Sequence, residues 1–164
     1  MIHEARELAI RFEQANSDVI AAVEECSENR LHTLCPAERC TVAALACHVA
    51  EGHALGADMV RTVLNDEPLP ALTMDMVDQI NAARFALNAN RSRAEAIERL
   101  RRDGALAAAV LRGLGDADLD RTTPFTLFGG ATTSVRELIE RILIADPEGH
   151  LPSLRAAVAA PTPE

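Results

Sequence analysis

Apolar residues recur at intervals of three and four along most of the chain, which is the periodicity of amphipathic α-helices. The first such segment covers residues 4–28, where Leu8 and Phe12 belong to the repeat. A second segment begins after Thr41, a good N-cap residue, and reaches about Leu64. No stretch alternates as a half-buried β-strand does, so the pattern predicts helices only.

Cap signals place the next two helices. Thr73 can cap a shorter helix over residues 74–90. Ser92 and Glu95 match the capping box S-x-x-E, and the helix that they start reaches about Leu114.

A long loop precedes the last helix. Residues 115–133 contain a pair of glycines and no helical periodicity. Ser134 and Glu137 form a second capping box, which opens a last helix that runs to about Ala159. The predicted fold is therefore all-α, a four-helix bundle with one additional short helix and a long loop before the last helix. One domain over residues 1–160 is expected, followed by a flexible tail, residues 161–164.

Composition agrees with a folded helical domain. The chain has 164 residues, of which 48% are hydrophobic, enough to build a core. Tyr and Trp are absent, and Phe occurs four times. The abundance of Ala and Leu favours helix over sheet.

Charge and hydropathy exclude two classes of partner. The formal net charge is −9, and no basic patch of the kind that binds nucleic acid is visible. No apolar run approaches the roughly 20 residues needed to cross a bilayer. The charged N-terminal segment does not resemble a signal peptide. We therefore expect a soluble, cytoplasmic protein with no nucleic-acid or membrane partner.

The four cysteines, Cys26, Cys35, Cys40 and Cys47, form no C-x-x-C pair. This spacing argues against a zinc finger or a thioredoxin-like redox motif. Without an export signal, disulfides are not expected either. Cys26 and Cys47 are interpreted as small buried hydrophobic residues.

An acid and a histidine interrupt the apolar face of the last helix. Every fourth residue along this face reads Leu138, Ile142, Asp146, His150, Leu154, Val158. Burial of an unpaired carboxylate costs several kcal/mol. Solvent, a hydrogen-bond partner or a metal ion must therefore satisfy the pair.

His48 interrupts the apolar stripe of the second long helix in the same way. Asp146 and His150, four residues apart, present both side chains on one side of their helix. A third ligand from another helix would complete a metal site in a bundle core and leave coordination positions open, as catalysis requires. The candidate ligands are thus His48, Asp146 and His150.

Other interpretations of these residues stay open. His48 could be a core histidine bonded to a carbonyl, and Asp146 followed by Pro147 resembles an N-cap with proline at the first helical position. Capping and ligation are compatible, because a carboxylate has two oxygens. His53 lies about 140° around the helix from His48, so it should not share the site. Glu51, one turn from His48, is a candidate catalytic base or an exposed glutamate.

Three segments resemble the DinB/YfiT-like superfamily, which includes the N-terminal domain of mycothiol-dependent maleylpyruvate isomerase. The entry into the second helix reads CPAERCTVAALACHVAEGH, in which Cys40 stands where the family has tryptophan. The middle reads MVDQINAARFALNANRSRAEAIERLRRDGALAAAVLRGLGDADLD. The last reads GGATTSVRELIERILIADPEGHLPSLRAAV, where the family pattern is H-x-x-x-H.

The resemblance implies a DinB-like four-helix bundle with a three-ligand divalent metal site, often of three histidines. His48 matches the ligand of the second helix, and His150 matches the second histidine of the last helix. Asp146 stands where the first histidine is usual, so the site has two nitrogens and one oxygen. Zinc or nickel is expected first, and iron(II) is compatible with this set.

Relatives of known activity use low-molecular-weight thiols such as mycothiol or bacillithiol. The resemblance therefore implies a metal-dependent thiol transferase or isomerase that acts on a small-molecule substrate. The abundance of Ala and Leu in the bundle separately leads us to expect a homodimer that pairs through helix faces. The alternative is a non-catalytic bundle, either one that binds a small ligand or a stress-related homodimer with a vestigial metal site.

Overall fold

The computed structural model describes residues 3–160 as a bundle of helices with two short strand pairs. The helices are α1 (Glu4–Glu24), α2 (Glu28–Leu31), α3 (Val42–Leu64), α4 (Met74–Asn88), α5 (Arg93–Arg112), α6 (Val135–Leu138) and α7 (Ala145–Ala159). The strands are β1 (Leu34–Cys35), β2 (Cys40–Thr41), β3 (Thr122–Pro124) and β4 (Thr132–Ser134). The all-α fold class is confirmed. The predicted tail, residues 161–164, lies outside the described residues, and the domain boundary stays a prediction.

Helices α1, α3, α5 and the last rod, which is α6 continued into α7, form the bundle. Helix α3 packs on α5 and α7, and α1 packs on the same two helices. Helices α3 and α5 run in the same direction along the two halves of the core. The chain returns between them through α4, which packs on α3 at the outside of the bundle. None of the helices within residues 3–160 is long and apolar enough to cross a membrane.

The predicted cap residues are the observed ones. The side chains of Thr41 and Thr73 accept hydrogen bonds from backbone N–H groups in the first turns of α3 and α4. Both capping boxes are present, at the start of α5 and at the start of α6. These local signals fix where the helices begin and hence which residues face the core.

The first helix is shorter than its periodicity predicts. Helix α1 ends at Glu24, and Ser27 caps the separate four-residue helix α2. A serine that accepts a hydrogen bond from the Arg30 N–H competes with continuation of α1.

The prediction of helices only was wrong for two places. Strands β1 and β2 pair antiparallel with Cys35 opposite Cys40. Strands β3 and β4 pair likewise, within and just after the segment predicted as a loop. Ladders of two or three residues are too short for alternation to be visible in the sequence.

The last rod changes its helical form just before the candidate site. Residues Ile139–Ile144 form a π-helical segment between α6 and α7. A proline ring in a regular α-helix clashes with the carbonyl four residues earlier, and the carbonyl four residues before Pro147 belongs to Leu143, inside this wider segment. The rod continues without a break, so Asp146 is inside a helix. The N-cap position of α7 is Ile144, which makes no side-chain capping bond. The interpretation of Asp146 as an N-cap is therefore wrong.

The core has two apolar clusters with a polar layer between them. One cluster contains Val19, Leu45, Leu100 and Leu154. The other contains residues nearer the opposite end of the same four helices, such as Phe12, Val60, Leu111 and Leu143. The layer between them holds Asn16, His53, Asp103, Asp146 and His150. Asp146 and His150, which interrupt the apolar face of the last helix, therefore belong to this polar layer.

Two glycines of α3 permit the last rod to approach closely. A Cβ on Gly56 would lie 2.6 Å from Cδ2 of Leu143, which is fully buried. A Cβ on Gly52 would meet Oδ2 of Asp146 at an ordinary 3.7 Å. The close approach at Gly56 brings the face of α3 that carries His48 against the rod that carries Asp146.

We expect Gly56→Ala to lower the free energy of unfolding by about 1 kcal/mol. Overpacking costs about 1–3 kcal/mol, of which the better helix propensity of alanine offsets about 1 kcal/mol. Gly52→Ala is the matched control and should raise stability by up to about 1 kcal/mol. Urea unfolding followed by circular dichroism measures both. Equal stabilities for the two variants would contradict the close packing at Gly56.

Candidate metal centre

The structure brings together the three residues predicted as ligands. One donor atom from each of His48, Asp146 and His150 lies within 4.8 Å of the other two. His48 comes from α3, and the other two come from successive turns of α7. The imidazole rings of His48 and His150 are nearly perpendicular, at 80°, with centroids 5.3 Å apart. The convergence of residues about a hundred positions apart follows from the packing of α3 on the last rod.

The spacing of the donor atoms is close to that of a metal site. Nε2 of His150 lies 3.5 Å from Oδ1 of Asp146. Donors that surround Zn²⁺ tetrahedrally at about 2.1 Å lie about 3.4 Å from one another. The pair on α7 already has this separation, and movement of His48 by roughly 1 Å brings the third donor into the same range.

Glu38, in the turn between β1 and β2, holds His150 from the other side. Its Oε1 lies 3.1 Å from Nδ1 of His150 and accepts a hydrogen bond of 2.8 Å from the hydroxyl of Ser153. The Glu38 and His150 side chains are each 19% exposed. With Nδ1 bound to a carboxylate, the ring of His150 presents Nε2 to the site. A carboxylate that orients a ligating histidine in this way is common around protein metal ions.

The two candidate histidine ligands have opposite electrostatic environments. The hydrogen bond to Asp146 raises the pKa of His150, and the hydrogen bond to Glu38 raises it further. Burial opposes both, and the resulting pKa is about 9. Without a bound cation it is therefore an imidazolium between two carboxylates at neutral pH, and a cation that binds at Nε2 must displace the proton on that nitrogen. Burial lowers the pKa of His48, with Asp146 opposing that shift. Burial also acts to raise the pKa of Asp146, but the hydrogen bond to His150 and the nearby histidine charges lower it below its usual value.

His53 is not a member of this donor group, as its helical position predicts. Its ring is fully buried, packs edge-on against Phe12 at 4.9 Å, and places Nε2 3.0 Å from Oδ1 of Asn16. The Asn16 amide nitrogen donates to the carbonyl of Leu100, so Oδ1 is the acceptor and Nε2 of His53 carries the proton. Nδ1 of His53 then has a lone pair without a hydrogen-bond partner among the described residues.

Glu51 lies one turn from His48 but outside the group of donor atoms. Its Oε1 accepts from the side chains of Asn88 at 3.1 Å and Arg99 at 3.5 Å. Its Oε2 accepts from Arg84 at 3.3 Å. The Glu51 side chain is 22% exposed, and it connects α3 with α4 and α5. Both oxygens are thus engaged by neighbouring helices, and the role of Glu51 as a catalytic base stays a prediction.

Three residues of the site escaped the sequence analysis. Glu38 lies in a turn, where no periodicity indicates the direction of a side chain. Phe85 of α4 contacts the His48 ring edge-on, with centroids 5.3 Å apart, and resembles any core aromatic in the sequence. Ser153 alone had a usable signal, because it lies three residues after His150 and so on the same face of α7.

All four cysteines are buried and free, as predicted for Cys26 and Cys47. Burial raises the pKa of Cys35 to about 11 and that of Cys40 to about 12. Thiols with these pKa values are poor nucleophiles and poor metal ligands at neutral pH. The chemistry of the site therefore depends on the histidines and carboxylates.

No curated protein and no solved structure matches the chain. The family model of the DinB superfamily matches residues 11–144. The match includes His48 and the surrounding helices α1, α3, α4 and α5, and it ends just before Asp146 and His150. A match over most of the chain agrees with the helical architecture, and the protein belongs to the DinB superfamily.

Proposed function

We propose that the protein binds one divalent cation through His48, Asp146 and His150. The observation that carries this proposal is the convergence of the three donor atoms within 4.8 Å. The contact between Glu38 and Nδ1 of His150 supports it, because it leaves Nε2 for the cation. Two imidazole nitrogens and one carboxylate oxygen suit zinc, nickel or iron(II).

We further propose that the bound cation serves thiol chemistry, as an S-transferase or isomerase for a small-molecule substrate. A divalent cation lowers the pKa of a bound thiol, so that the thiolate nucleophile forms at neutral pH. The chain contributes three donors and thereby leaves coordination positions for the thiol. The Asp146 side chain is 38% exposed, which gives solutes access to the centre. Glu51 could act as the base in this reaction only after one of its contacts with Arg84 or Arg99 is replaced by a contact with the substrate.

Elemental analysis of the purified, untagged protein tests the cation proposal. We expect about one equivalent of zinc, nickel or iron per chain, and restoration of that equivalent after chelation and dialysis against the metal. Protein that takes up none of these metals would contradict the proposal. That result would favour the alternative, a non-catalytic bundle with a vestigial site. An apolar cavity of about 420 Å³ beside Cys35 and Ala157 would suit a small ligand in that case.

Glu38 offers a prediction that separates orientation of His150 from direct ligation. We expect Glu38→Gln to weaken zinc binding about tenfold, because loss of a carboxylate partner of a ligating histidine typically costs 10- to 100-fold. Ser153→Ala is the control, since it removes the other hydrogen bond to Glu38 and should change affinity less. Competition with a chromophoric chelator measures the dissociation constants. Equal affinities for wild type and Glu38→Gln would show that Glu38 does not orient the ligand.

We also propose a homodimer that forms through the outer face of α4. Met76, Ile80, Ala83 and Leu87 follow one another at helical spacing on this face, and all four are exposed. Leu87 is 71% exposed, the most of the exposed large apolar residues in residues 3–160. Antiparallel packing of two copies of α4 would place Met76 against Leu87 and the small Ala83 against Ile80.

We expect Leu87→Glu to convert the dimer to a monomer, because it would bury two charges in the interface. Leu106→Glu is the matched control, since Leu106 is 48% exposed on α5, away from this face. Sedimentation equilibrium gives the masses. A monomeric wild type at high micromolar concentration, or a dimer that survives Leu87→Glu, would contradict the interface. A cytoplasmic location for this dimer stays a prediction from the sequence.

A further inference from the structure

A cavity of about 760 Å³ adjoins the candidate metal centre between α4 and the turn that joins β1 to β2. Two of its lining side chains also touch the centre. Glu38 accepts the hydrogen bond from His150, and Phe85 contacts the ring of His48. The cavity and the metal centre are therefore joined through these two side chains, although none of the three candidate ligands lines the cavity itself. Its volume is within the usual range for small-molecule sites.

The polar groups of the cavity fall into two sets. Glu38 is engaged by His150 and Ser153, as described above. Arg39 and Asp78 also line the cavity, and among residues 3–160 neither side chain has a hydrogen bond or an ion pair. Asn81, one turn after Asp78, lines the same wall. The cavity thus presents one cation and one anion that the protein itself does not neutralise.

The backbone at Arg39 is unusual. Its φ is +56°, in the left-handed region that is costly for residues with a Cβ. It follows the turn in which both Glu38 and Arg39 donate backbone hydrogen bonds to the Cys35 carbonyl. Glycine is the residue best suited to this position. An arginine here lines the cavity with an exposed side chain at the expense of local stability, which points to a role for the charge.

We propose that this cavity binds the zwitterionic end of a small amino-acid-type thiol. Arg39 binds the carboxylate, Asp78 binds the ammonium group, and the sulfur is directed past Phe85 towards the metal centre. The direction of the sulfur rests on the proposed function, whereas the recognition of the two charges does not. A guanidinium and a carboxylate in one cavity select a ligand with both opposite charges, because a ligand with one charge leaves the other group without a partner.

Four probes test this inference. L-cysteine carries both charges, N-acetyl-L-cysteine lacks the ammonium group, cysteamine lacks the carboxylate, and S-methyl-L-cysteine carries both charges but cannot form a thiolate. We expect the zinc-loaded protein to bind L-cysteine at least about tenfold more tightly than N-acetyl-L-cysteine or cysteamine, as measured by calorimetry. Equal binding of these three thiols would overturn the proposal.

Variants assign the two charges. Asp78→Asn should abolish the preference over N-acetyl-L-cysteine, and Arg39→Gly should abolish the preference over cysteamine. Arg39→Gly suits the left-handed backbone, so this variant should fold, and Arg39→Lys should keep part of the preference. Asp75→Asn, on α4 but outside the cavity, is the matched control and should behave as wild type. Variants that retain both preferences would overturn the assignment.

S-methyl-L-cysteine separates this inference from the proposed function. We expect it to bind the protein with or without zinc, and to bind Arg39→Gly at least about tenfold more weakly. If the protein takes up no metal but binds S-methyl-L-cysteine in this way, the cavity proposal is supported and only the metal proposal is contradicted. Zinc uptake without any binding of S-methyl-L-cysteine would contradict only the cavity.

Discussion

Replacement of His48 by alanine is expected to lower the affinity for zinc at least about 100-fold. Loss of a group that merely orients a ligand already costs 10- to 100-fold, and His48 is the only member of the donor group contributed by α3. Without it, the cation would be held by Asp146 and His150 on one helix. Titration of the metal-free protein with zinc against a competing chelator measures the change.

Two further substitutions make this result specific. His32→Ala removes an exposed histidine whose ring bonds the Arg91 carbonyl, and we expect it to bind zinc as wild type does. Asp146→His supplies a third imidazole, a strong ligand for zinc and nickel, so binding should persist or tighten. Thermal unfolding of each metal-free variant checks that the bundle is intact. Unchanged zinc affinity in a folded His48→Ala protein would rule out this centre.

Acid is expected to destabilise the fold through His53. Burial lowers the pKa of this residue to about 4 from an ordinary value of 6.5. Below pH 6.5 the unfolded chain therefore binds a proton that the folded protein excludes. The free energy of unfolding falls as the pH is lowered through this window, by about 1.4 kcal/mol per pH unit. We expect a loss of about 2 kcal/mol between pH 7 and pH 5 from this group.

The comparison of wild type with His53→Gln isolates the contribution of His53. The glutamine amide can still donate a hydrogen bond to Oδ1 of Asn16. The His53→Gln variant should therefore lose less stability than wild type between pH 7 and pH 5. The dependence that remains in the variant combines two opposing contributions, because burial lowers the pKa of His48 whereas the carboxylate partners of His150 raise its pKa to about 9. NMR titration provides a second readout, in which the His53 ring should stay neutral down to about pH 4. A His53 ring that titrates near pH 6.5 in the folded protein would refute the prediction.

The helices could be predicted because their signals are local. Thr41 and Ser92 each satisfy a backbone N–H within their own first turn, so the sequence around them is sufficient. The π-helical segment before Asp146 could not be predicted, because it forms in a rod constrained by Pro147 and by contact with α3. The short strand pairs depend likewise on partners that are brought together by the rest of the fold.

The candidate site was predictable to the extent that its residues interrupt apolar faces. His48, Asp146 and His150 each stand where helical spacing calls for an apolar side chain, and bundle packing then brings such positions together. Glu38 and Arg39 lie in a turn, and Phe85 looks like ordinary core. Their relation to the site depends on how the turn and α4 are placed against the bundle, which no local pattern indicates.

The polar layer across the middle of the core also limits how the helices can slide. A shift of one helix by a single turn, about 5.4 Å, would move Asn16, His53 or Asp146 against aliphatic side chains and strand its former partner. Each such misalignment leaves hydrogen-bonding groups buried without partners, at roughly 1–3 kcal/mol apiece. An all-aliphatic interior of Ala, Leu and Val would tolerate several alignments of similar energy. In this protein, the polar layer that contains two of the three candidate metal ligands thus also favours a single alignment of the four helices along the bundle axis.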